Sequence, residues 1–592
     1  MRGRRRRYLT RRARLAVVVA LLGATVATTS QPIAAASTTL KPTGCVWSLG
    51  YLPPVSEVMD GTMQLPGGPS VDIGTGAIDW NIATKYGEAW AKNFMSLSWI
   101  LSPVHLYYIR DGASYMLPYL QRAEQIAADF AAHIPVGGGP EPQATWSAMY
   151  AGQRADVFGC LASLDPSFAP AFRELRAMGP WLANPAHDPG SWNQGVDFRL
   201  GGLAAGCVTG NATWATLARD KLGSLAATVI DAQGAPIEQS IHYGARLVTV
   251  FSDAATQVGN CFGTAPSIIG SRLRALKGFL SWASAPGGGY PSLGDSDAQT
   301  SPTPCPAPAV VATAQSATSK VYAAGYAFGR SNSPQWGYYS LRFGPGRALH
   351  GHNDHESITW TARGSSLLVD PGYRTNRAVF AAFGRSPEAH NVLTEPGVAF
   401  AAGAATTLIR SRLRTAWQSY ELTDTAYGGR ARVRDVLVDL TAGIVVVEDR
   451  ASRARSGAFT QLWHLPLDDA VSVSRTGVAS ASMCGATTTW ITPLPLRGQT
   501  VALHSTGVVK GQTSPYQGWT MTSTDAAPAP VIVVRRSGTI ARMVTVLTVG
   551  SRYTQPRISR TWSATGGYVY TISNAGVVRH VRLDNSGLFT EI

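Results

Sequence analysis

The segment ALHGHNDHESITW, residues 348–360, holds His350, His352 and His355 with Asp354 and Glu356 beside them, in a chain that has only 11 histidines. Imidazoles bind metals and carry protons near neutral pH. Carboxylates among them complete a metal cage or tune the rings. On these residues alone a metal cage, an acid–base site and a histidine-rich polar turn all stay open. Alternation along an extended HGH turns His350 and His352 to the same side, so a bend or different rotamers would be needed for one to serve a cleft and the other a metal. Asp370 closes LLVD before Pro371-Gly372, where a turn-forming Asp is equally expected. His390, in EAHN, is also readable as a packed strand histidine.

Two patches upstream carry complementary chemistry. SWNQG at 191–195 contains Asn193 and Gln194, and GAPIEQSIHYGARLV at 234–248 contains Glu238, Gln239, Tyr243 and Arg246. Asn193 also suits a helix N-cap, and Tyr243 also suits a half-buried core position. A cation close in sequence, Arg246, is expected to lower the phenol's pKa if Tyr243 is to act as a base. Arg154 in YAGQRADVF and GDSD at 294–297 either line a cleft or brace it. His464 in QLWHLP reads as packed, and His355 as a surface or supporting residue.

The elements that must position these groups change character along the chain. Residues ~85–285 repeat apolar positions at three- and four-residue spacing, in segments such as ASYMLPYLQRAEQIAADFAAHI and ATWATLARDKLGSLAATVID, and predict stacked helical hairpins. SAPGGGYPSLGDSDAQTSPTPCPAPA, 284–309, reads as the passage between domains. From ~320 onward the period becomes two, as in WGYYSLRF and SITWTARGSSLLVD, and predicts antiparallel strands of sandwich type.

HGHNDHESITWTARGSSLLVDPGY followed by RSPEAHNVL resembles the heparinase II/III-like polysaccharide lyases, and SWNQG and GAPIEQSIHYGARLV resemble the helical motifs of that family. The resemblance implies a multidomain α+β chain in which an N-terminal α/α toroid, an incomplete barrel of helical hairpins, precedes a C-terminal antiparallel β-sandwich. It implies β-elimination of a uronic-acid polymer with Tyr243, His350 and Asn193 as catalytic residues, Asn193 neutralising the carboxylate. It implies Gln194, Glu238, Gln239, Arg154 and Arg246 around the substrate, and a structural Zn2+ held by His352, Asp370 and His390. Gln194 stands where relatives often have His, and Gly244 stands where they commonly have a His after the tyrosine.

Bulk properties bound the setting. Apolar residues make up 45% and charged residues 15%, which is a globular balance. The basic, then apolar, then small-residue order of residues 1–36 reads as a secretory leader, Sec or twin-arginine. That leaves a helical domain at 37–315 and a sandwich at 316–592. The leader holds eight of the arginines and no acid, so the net charge of +15 falls to about +7 without it. A mildly basic exported chain fits an acidic polysaccharide partner and not nucleic acid. No apolar run of membrane-spanning length follows the leader. The six scattered cysteines allow disulfides without indicating their pairing. RSRLR at 410–414 and RARVR at 430–434 are expected on strands facing solvent. Two other readings remain: a zinc-dependent hydrolase, in which the cluster activates water, and a non-catalytic carbohydrate-binding protein of the same fold.

Overall fold

Close backbone approach sets the helical half. A Cβ on Gly201 would lie 2.3 Å from the Gly152 oxygen, and one on Gly152 would lie 2.5 Å from the Asp197 oxygen. Only glycine lets the helices Ala148–Leu164 and Asn193–Thr209 cross at this distance. The computed structural model describes residues 40–285, 288–296, 317–331, 337–363, 365–373, 377–483, 487–496, 504–522, 525–551, 553–564, 566–583 and 588–592. The expected leader, Cys305 and Cys484 lie outside them, as does most of the passage at 297–309.

The helices Leu117–His133, Ala148–Leu164, Ala169–Ala183, Asn193–Thr209, Ala212–Val229, Ile241–Phe262 and Ser267–Ala283 follow one another with short connections, as the toroid expectation requires. One disulfide, Cys207–Cys261, cross-links two of these helices, and a second, Cys45–Cys160, ties the segment before them to Ala148–Leu164. Among the described residues, no helix is long and apolar enough to cross a membrane.

Three larger antiparallel sheets stack in the described part of the β half, beside two short two-stranded ones. Ala317–Tyr322, Tyr326–Ser331, Gly337–Arg342, Ile358–Ala362 and Ser365–Leu368 form a meander. A ten-stranded sheet is built around the long strands Ile444–His464 and Val531–Gly550, and strands between Arg557 and Glu591 form the third sheet. The meander lies between the helices and the large sheet. Tyr322, Tyr326, Phe328 and Tyr338 pack on Leu276 and Phe279 of the helices. Its other face, with Tyr339, Leu341 and Trp360, meets Tyr420, Val436, Val447 and Trp463 of the large sheet. Burial on both faces leaves every residue of Gly337–Arg342 buried, which replaces the in–out alternation expected there.

The solvent-facing reading of RARVR is corrected. Arg432 and Arg434 are buried, Arg432 paired with Asp424 at 2.7 Å and Glu356 at 3.3 Å, and Arg434 with Asp449 at 2.7 Å. A guanidinium placed between sheets must be paired to be tolerated there, so these side chains brace the turn that carries Glu356.

Candidate active site

The helix Ile241–Phe262 starts where Ser240 accepts the Tyr243 N–H at 3.4 Å, which puts Tyr243 on the first turn. The Ser240 hydroxyl also donates to the Asp295 carbonyl at 3.0 Å. The preceding Gln239 has a left-handed φ of 58°. Its amide accepts the Ala348 N–H at 2.8 Å and donates to the Gly346 carbonyl at 3.1 Å, gripping the turn that leads into HGH. His350 N–H donates to the Glu238 carbonyl at 3.1 Å, and Asp295 N–H donates to the His350 carbonyl at 2.7 Å. A Cβ at position 351 would lie 2.1 Å from the Gln239 Oε1, so a side chain between the two histidines would push the Gln239 amide out of its grip on this turn.

These backbone ties lay the His350 imidazole on the Tyr243 ring, with centroids 3.7 Å apart and planes 11° from parallel. His350 Nδ1 is 3.0 Å from Asp295 Oδ2, and its Nε2 is 3.4 Å from Glu238 Oε2. His352 Nε2 is 3.0 Å from the other Asp295 oxygen. The alternation expected of HGH therefore holds in one respect, since both rings turn toward the same carboxylate. Arg385 grips both oxygens of Asp295, at 3.0 and 2.5 Å, and lies over the Tyr373 ring at 4.3 Å. Asn193 is the first residue of its helix and is not the cap, a position taken by Trp192. Its N–H donates to Glu238 Oε1 at 3.0 Å, which ties the SWNQG patch to the same centre.

The charges follow from these contacts. Burial by itself would raise the Asp295 carboxyl, but hydrogen bonds from His350, His352 and Arg385 outweigh it and hold the group below the usual carboxylate range. Burial raises the Tyr243 phenol, and the carboxylates of Asp295 and Glu238 raise it further. Arg246 pulls the other way and loses. Its guanidinium is ion-paired with buried Asp197 at 2.9 Å, so the expected lowering of the phenol is corrected to a raised, protonated Tyr243. Burial likewise raises the Glu238 carboxyl, against the Asn193 N–H and His350.

The expected substrate residues divide. Gln194 is exposed at the head of its helix, and Arg246 is half-buried. Glu238 and Gln239 are buried and act on the backbone and rings around them. Arg154 is corrected from a substrate residue to a brace. It is fully buried, donates to the carbonyls of Met95 at 2.6 Å and Thr145 at 3.0 Å, and lies between the Phe130 and Trp146 rings. Arg385 is missed as a site residue by the sequence reading, and Asp295 is flagged only within GDSD, as lining or bracing a cleft, and not singled out. GDSD sits in a Gly- and Pro-rich passage with no periodicity, and Arg385 in RSPEAHN carries no local sign of its partner.

His352, Asp370 and His390 each offer a ligand atom, all within 4.8 Å of one another, and all three side chains are buried. His390 Nδ1 is 2.8 Å from Asp370 Oδ2. His352 Nδ1 and His390 Nε2 are buried with no hydrogen-bond partner. Two orphaned imidazole nitrogens beside a carboxylate fit Zn2+. His355 is buried and its ring is pushed down to about 4 by burial, so it is no surface residue. His464 is packed, as expected, and burial pushes it down to about 4.

Residues 323–566 match the family described as heparinase II/III-like, C-terminal. Solved structures share the fold over nearly the whole chain. The heparan sulfate lyase HepC of Pedobacter heparinus is 16% identical, with 90% of this chain and 88% of that chain covered and a TM-score of 0.66. A structure of heparinase III is 13% identical, with 92% and 93% covered and a TM-score of 0.68. The Streptomyces coelicolor A3 chondroitin AC lyase, solved with chondroitin sulphate, is 12% identical, with 89% and 83% covered and a TM-score of 0.51. No curated protein matches the chain.

Proposed function

We propose that this chain, which carries a heparinase II/III-like C-terminal domain, is an exported polysaccharide lyase that cleaves a uronate-containing acidic polymer by β-elimination. The observation that carries this reading is the stack of Tyr243 on His350, a protonated phenol and an imidazole brought together from the two halves of the chain. Similarity in fold to heparan sulfate and chondroitin lyases supports the substrate class. The two disulfides support an oxidising compartment.

In this mechanism the Asn193 side-chain amide holds the uronate carboxylate, so that charge developing on it at the transition state is tolerated. His350 Nε2 takes the C5 proton. The C5–H electron pair becomes the C4–C5 double bond, and the C4–O glycosidic bond breaks. Tyr243 gives its proton to the departing oxygen. The imidazolium formed on His350 lies between Asp295 and Glu238, which stabilise its charge. Gln194 and Arg246 are the candidates for flanking sugar contacts. Zn2+, held by His352, Asp370 and His390, would supply structural cross-linking of the β half. The burial of all three side chains favours that role over water activation.

The test is a panel of uronate polymers, namely heparan sulfate, chondroitin sulfate, hyaluronate and alginate. A lyase leaves an unsaturated uronate that absorbs in the ultraviolet, and a hydrolase does not. Ultraviolet-absorbing product from at least one polymer is expected. Cleavage without it, or no cleavage of any polymer, overturns the reading.

A further inference from the structure

We infer that Asp295 is a positioning residue that sets the tautomers of His350 and His352 together, so that one carboxylate aims the catalytic base and a metal ligand at once. The inference rests on the lyase reading for the role of His350 and on geometry for the rest. Asp295 Oδ2 meets His350 Nδ1 at 3.0 Å and Oδ1 meets His352 Nε2 at 3.0 Å, while Arg385 spans both oxygens. A carboxylate paired with a guanidinium in this way only accepts hydrogen bonds. Each histidine must therefore present an N–H to it, and the neutral ring then carries its lone pair on the other nitrogen.

The consequence differs for the two rings because they meet Asp295 through different atoms. His350 keeps its proton on Nδ1 and carries its lone pair on Nε2, 3.4 Å from Glu238 Oε2, as the base. His352 keeps its proton on Nε2 and leaves Nδ1 free, and Nδ1 is the buried nitrogen without a partner at the His352–Asp370–His390 cluster. A neighbour that fixes the tautomer of a ligating histidine commonly matters for metal affinity about 10–100-fold. Here the same neighbour also holds the ring stacked on Tyr243. Asp295 is itself fixed through its backbone, its N–H on the His350 carbonyl at 2.7 Å and its carbonyl accepting the Ser240 hydroxyl at 3.0 Å. It is part of the Gly294–Ser296 segment, and Ser296 in turn accepts the Tyr373 N–H at 3.0 Å.

The direct measurement is nitrogen NMR of 15N-histidine-labelled, zinc-loaded full-length protein. The expected result is Nδ1–H on His350 and Nε2–H with metallated Nδ1 on His352. The opposite tautomer on either ring overturns the inference. The second measurement uses Asp295→Asn, whose amide can present an N–H to one of the rings. Expected are a fall in kcat of about 10²–10⁴-fold with KM within a few-fold, and a weaker zinc Kd by about 10–100-fold, with Asp295→Glu recovering part of both. Unchanged kcat and unchanged zinc affinity in a folded Asp295→Asn protein overturn it. If the unaltered protein yields no unsaturated product from any polymer, the lyase reading fails. The NMR and zinc measurements then still decide whether Asp295 sets the two rings.

Discussion

Tyr243 and His350 are stacked at 3.7 Å although one sits on the first turn of a helix and the other in a turn of the β half. The stack buries the phenol beside two carboxylates, which keeps it protonated and suited to donate. Tyr243→Phe retains the ring and removes only the hydroxyl. The expected outcome is a loss of kcat of about 10²–10⁴-fold with little change in polymer binding or in thermal unfolding. Full activity in this variant would remove the tyrosine from the mechanism.

Arg154 should matter for folding and not for turnover. Replacing it with Leu leaves the carbonyls of Met95 and Thr145 unpaired inside the helical half, at about 1–3 kcal/mol each. Denaturant unfolding should show that loss, while kcat/KM per folded molecule stays within about two-fold. A selective rise in KM would return Arg154 to the substrate path.

Zinc should bind in about one equivalent per chain and be lost in His390→Ala. Chelation should lower the melting temperature while the remaining folded protein keeps its turnover within a few-fold. A chelated protein that stays fully folded but is inactive, and recovers on adding zinc, would place the metal in the chemistry.

A pH effect on stability is expected from Asp156, on the helix Ala148–Leu164. Burial pushes this carboxyl up to about 7, with Gln257 donating to it at 2.5 Å and opposing the rise. The unfolded chain releases that proton near pH 4, whereas the folded chain keeps it to about 7. The group's stabilising contribution is complete below about pH 4 and is lost as pH rises through 7. Asp156→Asn keeps an acceptor for Gln257 and should flatten unfolding free energy against pH over that window. An unchanged slope in chemical denaturation would show that Asp156 is ionised in the folded state.

Much of this site is legible in the sequence, because motif spacing survives in one dimension. HGH, LLVDPG, EAHN and SWNQG marked His350, His352, Asp370, His390 and Asn193, and the switch in hydrophobic period marked the helical and β halves. Other conclusions depended on burial, which local pattern does not report. Arg154, Arg432 and Arg434 sit in segments whose neighbours give no sign that the side chain points into a core.

Residue types and their spacing determined by themselves which chemical groups the chain possesses and in which kind of element each resides. Tertiary structure alone decided how the groups are charged and aimed. The phenol of Tyr243 is raised and not lowered because burial and the carboxylates of Asp295 and Glu238 outweigh Arg246, which is itself ion-paired with Asp197, a residue 49 positions away. His350 and His352 divide between cleft and cluster because Asp295, from an aperiodic passage, lies between them. Electrostatic and hydrogen-bond energies depend on distances of a few ångströms between side chains far apart in the chain, and only the folded packing sets those distances.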